Sequence, residues 1–389
     1  MIGFISSLST FSVGESYIYH LGKKNLSIIT IKFIHIVVFI LGSIISALLL
    51  YLIFNLNLND NLDFNIYFLP SFILCVTLIY EYLLMQELKA RLEIYRANIL
   101  YALSRVALLA FVVIHGSTLQ PVDVIVYSVY TSLILMGMMF VVALIYGDYG
   151  KWGNFNNLKQ DIKKWRDYCR YSLQAHFGTL INLFEYRVDA LLAVYFIDLK
   201  LLGLYSVALS FGQLNYYIVN SVNTVLFPTI VRESMSLKDY MRVVRISMFP
   251  IVLGSCLVVL VVGLLGTIIF GQEYSGIEMF VLLLAPVFIL ESYNRLFATL
   301  LKSHNALPEF NRIAIYSLFI YFPLFIVLGY LFSIEGLILA SFCSYLFRSF
   351  LYTKWIKESL SDSISMNDFL PKLDEVMGSA KIIWEKIAK

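Results

Sequence analysis

Runs of about twenty apolar residues recur along this chain, and few folds tolerate that. A helix crossing the hydrocarbon of a bilayer needs that length, because each residue rises 1.5 Å and the apolar layer is about 30 Å thick. From the N-terminus such runs read as Ile2–His20, Ile28–Phe54, Ile66–Leu88, Asn98–His115 and Val122–Gly147. After a polar stretch come Tyr171–Ile197, Leu201–Val231, Ile246–Phe270, Ile277–Leu301, Ile313–Phe332 and Gly336–Trp355. The composition agrees: 60% of the 389 residues are apolar, only 14% are charged, and the mean hydropathy is +0.79. A water-soluble chain this apolar lacks the polar surface to cover itself. The reading is all-α, a polytopic membrane protein of about eleven transmembrane helices.

The first run lacks the basic leader and small-residue cleavage pattern of a signal peptide, so it counts as a span. Of the 29 Lys and Arg, only Lys200 falls in the loops of one side. Arg105, Arg187, Arg295 and Arg348 lie inside spans, and the remainder share the other side. The positive-inside rule makes that side cytoplasmic, together with the C-terminus. The polar stretch 148–170 then separates an N-terminal lobe (1–147) from a C-terminal lobe (171–358), with a tail at 359–389. Five spans precede the stretch and six follow it, so two six-helix bundles are expected, the first lacking its opening helix. Paired bundles are a frequent transporter plan. The tail carries apolar residues at helical spacing between lysines and reads as an amphipathic helix on the cytoplasmic leaflet, or as a loosely held end.

A charge at a span centre costs about 2.5–3.5 kcal/mol, so each must face a partner or water. The candidates are Glu15, Glu81, Arg105, Glu185, Arg187, Asp189, Glu291, Arg295 and Arg348. Glu291 and Arg295 are four apart and can neutralise each other on one helical face. Glu81 and Arg348 stand near span ends, where snorkelling is the simple expectation. The sixth span carries Ser172, Thr179 and Tyr186 every seven residues, beside Ala175, Asn182 and Asp189. The next repeats a polar stripe with Ser206, Ser210, Gln213, Tyr217, Asn220 and Thr224. Two such faces describe the wall of a wet cavity. A seam of small polar residues knitting two helices is the alternative, and the large Tyr186, Arg187, Gln213 and Tyr217 weigh against it. Pro228, Pro286 and Pro323 fall within spans and are expected to bend them.

Several classes are excluded. A net charge of +3 gives nucleic acid no purchase, and no GxxxxGK[ST] loop is present to hold nucleotide. Cys75, Cys169, Cys256 and Cys343 are scattered, the histidines stand apart, and neither a disulfide frame nor a metal site is expected. Loops on the acidic side are short, which disfavours a polymerase or acyltransferase. Transport, not enzymology, is the economical reading.

The stretch from Tyr168 to Arg232 carries R-Y-S-L, Y-R-V-D, D-L-K-L-L-G-L-Y-S and L-F-P-T in order. With SLSTFSVGESYIYHLGKKN, LKSHNALPEF and IEGLILASFCSYLFRSFL, it resembles the bacterial polysaccharide flippases of the multidrug/oligosaccharidyl-lipid/polysaccharide exporter superfamily. The resemblance implies a multi-pass protein of the bacterial inner membrane. Its cargo would be an undecaprenyl-pyrophosphate-linked oligosaccharide, moved between leaflets for O-antigen or capsule. Polymerase and chain-length proteins would be its partners. On that footing Arg187, Arg295 and Arg105 would meet the pyrophosphate, and Tyr186, Asn182, Gln213, Tyr217 and Asn220 the sugars. Glu15, Asp189 and Glu291 would couple an ion or balance the arginines. No cofactor is implied beyond H+ or Na+ as coupling ion. The competing readings are a cation-coupled drug exporter of the same superfamily, an enzyme of polymer synthesis, and a scaffold.

Overall fold

The computed structural model describes residues 2–23, 27–55, 64–90, 126–134, 155–233 and 235–360, with single positions between them. Among the described residues every regular element is helical. The chain divides into two compact units, Met1–His176 and Phe177–Lys389. The expected spans Asn98–His115 and Val122–Gly147 fall largely outside the described residues, although 126–134 is helical. The expected tail helix lies outside them too.

In the N-terminal unit, α1 (Ile2–Ser9) and α2 (Val13–Gly22) pack against α3 (Ile28–Asn55) and α4 (Phe64–Ala90). The span expected over Ile2–His20 is therefore not continuous. Phe11 and Ser12 sit at φ 49° and 50°, left-handed values that cost an L-residue about 1–2 kcal/mol each. The first part of α5 (Phe155–Ala193) bonds the backbone on both sides of the break: Ser172 Oγ donates to Phe11 O at 2.6 Å and Tyr168 Oη to Val13 O at 3.0 Å. Ser16 Oγ returns a bond to Tyr168 O at 3.0 Å. The break is legible only once a helix distant in sequence is in place.

The polar stretch before the sixth span is helical from Phe155 and runs into that span without interruption as α5. Asp161 on this segment caps α3 from outside. Its Oδ2 accepts from Ser27 N at 2.9 Å, Ser27 Oγ at 2.7 Å and Thr30 Oγ1 at 2.9 Å, and Lys164 stands 3.4 Å from Oδ1. Burial acts to raise this carboxyl. The hydrogen bonds from Ser27 and Thr30, with Lys164, outweigh burial and hold it at about 2.

In the C-terminal unit the remainder of α5 is followed by α6 (Leu199–Gly212), α7 (Leu214–Glu233) and α8 (Leu237–Phe270), then α9 (Ile277–Ser303) and α10 (Leu307–Leu360). Asp198 caps α6 through Leu201 N at 2.8 Å, and Ser236 caps α8 through Asp239 N at 3.1 Å. The helices α6 and α7 make up the expected span Leu201–Val231 and meet at Gln213, whose N–H still bonds Leu209 O at 3.1 Å. The 54 residues of α10 turn at Ser333 (φ 51°, ψ −127°) into the two expected spans. Gly336 makes that turn feasible, because a Cβ there would come within 1.9 Å of Leu328 O. Helix α9 is central, packing on α6, α7, α8 and α10. Tyr205, Leu284, Phe325 and Leu337 fill the core around it.

Five described helices are long and apolar enough to cross a membrane by composition alone: α3, α4, α8, α9 and α10. Those that fall short are the broken α1–α2 pair, α5 and the α6–α7 pair. The last two carry the polar stripes.

Because Asp161 ionises more readily folded than its ordinary value near 3.8, its contribution is complete above that value and lost as pH falls through about 2. Asp161→Asn is expected to lower the melting temperature in detergent by a few degrees at neutral pH. It should also remove the corresponding part of the acid dependence, as thermal unfolding across pH 2–7 will read.

Candidate functional site

The helix α9 carries Glu291 and Arg295 one turn apart. Arg295 donates through Nε at 3.0 Å and Nη2 at 2.8 Å, both to Glu291 Oε1. Tyr216 on α7 donates its hydroxyl to Glu291 Oε2, and Arg295 Cζ stands over its ring, 3.7 Å from the centroid. The expected neutralising pair exists, then, but it is not inert. Glu291 is buried, whereas the Arg295 side chain is 37% exposed. Arg295 Nη1 makes no hydrogen bond among the described residues. One edge of a planar cation is fixed by carboxylate and ring, and the other is presented outward.

A second pair lies on α5 and α10. Arg348 donates Nη2 to Glu185 Oε2 at 2.5 Å and Nε to Ser317 Oγ at 3.1 Å, with Nη1 at 3.5 Å from Asn182 Oδ1. Both charged side chains are buried, at 7% and 4% exposure. Ser317 and Ser344 join their hydroxyls at 2.9 Å behind the guanidinium. Arg348 does not snorkel, contrary to the sequence expectation. A salt bridge in the interior satisfies it, and Glu81 is likewise buried. Glu291 and Arg295 act electrostatically on Glu185, so the four charges form one cluster of zero net charge. Asn294 and Ser349 lie beside it: Ser349 Oγ donates to Asn294 Oδ1 at 2.7 Å, and Asn294 Nδ2 to Tyr345 O at 2.9 Å.

The stripe on α6 and α7 faces outward. Tyr217 is 70% exposed, Ser210 and Asn220 are exposed and Gln213 is half-buried. The hydroxyls of Ser206, Ser210, Ser221 and Thr224 each bond a carbonyl four residues back on their own helix, at 2.8, 2.9, 2.7 and 2.6 Å. Among the described residues these four hydroxyls make no bond to a neighbouring helix. Of the other predicted residues, Asn182 belongs to the Arg348 cluster. Glu15 is half-buried in the N-terminal unit. Tyr186, Arg187 and Asp189 lie on α5, but their side chains are outside the described ones, as is Arg105. The sequence reading missed the Glu185–Arg348 pair and Tyr216 as a support. Its available signal was that any charge inside a span must find a partner.

An apolar groove of about 560 Å³ opens between α8 and α9 at Leu260, Gly263, Leu282 and Pro286. Ser255 in its lining is spent on Ile251 O and the Asn215 amide. Apart from the Cys256 thiol, the rest of the lining is apolar.

Glu185→Gln strands the Arg348 cation in the interior and is expected to cost about 3–5 kcal/mol. Glu185→Leu combined with Arg348→Met removes both charges and should recover most of the loss. Thermal unfolding of the three purified proteins measures both effects.

Known folds place this arrangement. The chain superposes over 92% of its length on a MATE crystal structure in the straight conformation, covering 86% of that chain with TM-score 0.69 and 11% identity. It superposes on the Vibrio cholerae MATE transporter VcmN in the bent form over 92% of this chain and 85% of that one, with TM-score 0.68 and 15% identity. For the eukaryotic MATE transporter AtDTX14 the values are 91%, 84%, 0.62 and 13%. At such identities the likeness speaks to the fold alone, and the fold is that of a polytopic membrane protein. No curated protein matches the sequence. The sequence model of the family described as polysaccharide biosynthesis protein matches residues 4–234, more than half of the chain. This chain is a member of the polysaccharide biosynthesis protein family.

Proposed function

We propose that this protein is a flippase of the bacterial inner membrane, moving an undecaprenyl-pyrophosphate-linked oligosaccharide between leaflets for O-antigen or capsular polymer. The observation that carries the reading is Arg295. A guanidinium inside an apolar span, supported from behind and free at one edge, matches what a diphosphate requires: directed donors and a fixed positive charge. The exposed tyrosine, asparagine and glutamine face of α6–α7 supplies ring surfaces and amides suited to sugars. Arg187 and Arg105 are proposed as further contacts to the same headgroup. The basic loops put the C-terminus in the cytoplasm. Glu15 and Asp189 are the proposed sites for coupling to H+ or Na+.

The fold likeness to MATE transporters favours a second reading, a cation-coupled drug exporter. A cationic drug calls for a free carboxylate. Among the described span side chains of the C-terminal unit Glu291 and Glu185 are both engaged by arginines, while the Arg295 side chain is 37% exposed.

Arg295→Ala is expected to reduce surface polymer about 10- to 100-fold, the equivalent of one lost charge-assisted contact. The protein should still reach the membrane, and full lipid-linked repeat units should collect in the cytoplasmic leaflet. Wild-type polymer in that strain would remove Arg295 from the mechanism. Repeat units left incomplete would favour an enzyme instead.

A further inference from the structure

In the N-terminal unit one face of α5 is accounted for by packing and the other is not. Asp161 and Trp165 are taken up by α3, through Ser27 and the Phe33 ring. Tyr168 and Ser172 are taken up by the backbone around the α1–α2 break. Turned away from these four stand Arg166, Arg170 and Leu173, spaced four and three residues apart and therefore on one stripe. All three are exposed. Neither guanidinium has a hydrogen bond or an ion pair among the described residues. The depth of the stripe follows from the packed face. Trp165 lies 5.8 Å from Phe33, ring to ring, and Phe33 stands at the start of the membrane-length apolar stretch of α3, Lys32–Leu52. An indole at that level is typical of the border between headgroups and hydrocarbon. The two arginines thus stand at the border, on the side that carries the basic loops, and Leu173 stands past it.

We infer that Arg166 and Arg170 form a binding site for an anionic phospholipid, holding its phosphate while its acyl chain lies along Leu173. Four residues of helix rise about 6 Å, so both guanidiniums reach one headgroup. Like charges one turn apart repel each other, and a shared anion removes the repulsion. The planar guanidinium forks suit phosphate oxygens, and the pairing strengthens where water thins out. The protein offers no substitute. Asp161 is engaged by Ser27, Thr30 and Lys164, and Asp167 forms no ion pair with either arginine among the described residues. Positive charge, interfacial depth and an apolar continuation are together the complement of an anionic phospholipid, and none of the three calls for a sugar. The inference depends on this face of α5 and is independent of the cargo.

The test is lipid retention by the full-length protein, read by native mass spectrometry after release from nanodiscs of phosphatidylethanolamine mixed with phosphatidylglycerol. Thermal unfolding in detergent with each lipid added back is the second readout. The expected result is selective retention of phosphatidylglycerol and a midpoint raised by a few degrees with that lipid alone. Arg166→Gln combined with Arg170→Gln should weaken retention at least about tenfold and abolish the stabilisation. Its midpoint without added lipid should match the wild type, which reports that the fold survives. Arg166→Lys with Arg170→Lys keeps the charge and should retain the lipid in part. Arg232→Gln with Arg312→Gln removes the same charge from other basic loops and should leave retention unchanged. Equal retention of the two phospholipids, or retention untouched by the Arg166/Arg170 glutamine pair, would overturn the site. Equal loss in the Arg232/Arg312 pair would reduce the effect to net charge and overturn it as well. Undecaprenyl phosphate held at these arginines in preference to phosphatidylglycerol would assign them to an isoprenoid headgroup and overturn the phospholipid.

Discussion

Hydrocarbon offers a guanidinium nothing, so each arginine in a span dictates what its neighbours must be. Among the described span side chains of the C-terminal unit, two arginines impose that demand and are answered differently. Arg348 is enclosed: Glu185, Asn182 and Ser317 take its donors, tying α5 to α10 through the unit interior. Arg295 is braced, with Glu291 on one edge and the Tyr216 ring beneath, tying α9 to α7. The enclosed pair organises helices, and the braced one leaves a charge available. Removing either acid would leave an uncompensated cation, which is why the cluster is neutral as a whole and yet presents a positive edge.

Polarity is distributed on the same principle along α6 and α7. Their serines and threonine turn back onto their own carbonyls, so small hydroxyls cost little and demand no neighbour. The longer Tyr217 and Asn220 are left to reach outward. These residues lower the hydropathy of α6 and α7 below that of a lipid-facing helix, a cost that a wet face would recover and a lipid-facing one would not. The contrast with α8 is instructive: from Phe249 onward its outward side chains, among them Leu257, Leu260 and Leu264, are apolar.

Much of the fold was legible because bilayer thickness fixes helix length. The limits of α3, α4, α8 and α9 fall within a few residues of apolar-run boundaries, α8 apart, whose polar N-terminal turns extend the helix to Leu237. The pair Glu291–Arg295 was legible as well, since a four-residue spacing fixes contact on any helix. What escaped were features created by tertiary packing. Glu185 and Arg348 are 163 residues apart, and nothing local joins them. The break at Thr10–Ser12 lacks a proline or glycine signal and depends on Ser172 and Tyr168, more than 150 residues away. The stripe on α6–α7 could be read from spacing, but its outward direction could not.

The central claim is that Arg295 offers its free edge to a diphosphate. Binding of undecaprenyl pyrophosphate to the purified protein in nanodiscs, compared with uncharged undecaprenol, tests this directly. The account predicts saturable binding of the pyrophosphate form that weakens as salt rises, with little binding of the alcohol. Equal affinity for the two, unmoved by salt, would contradict it.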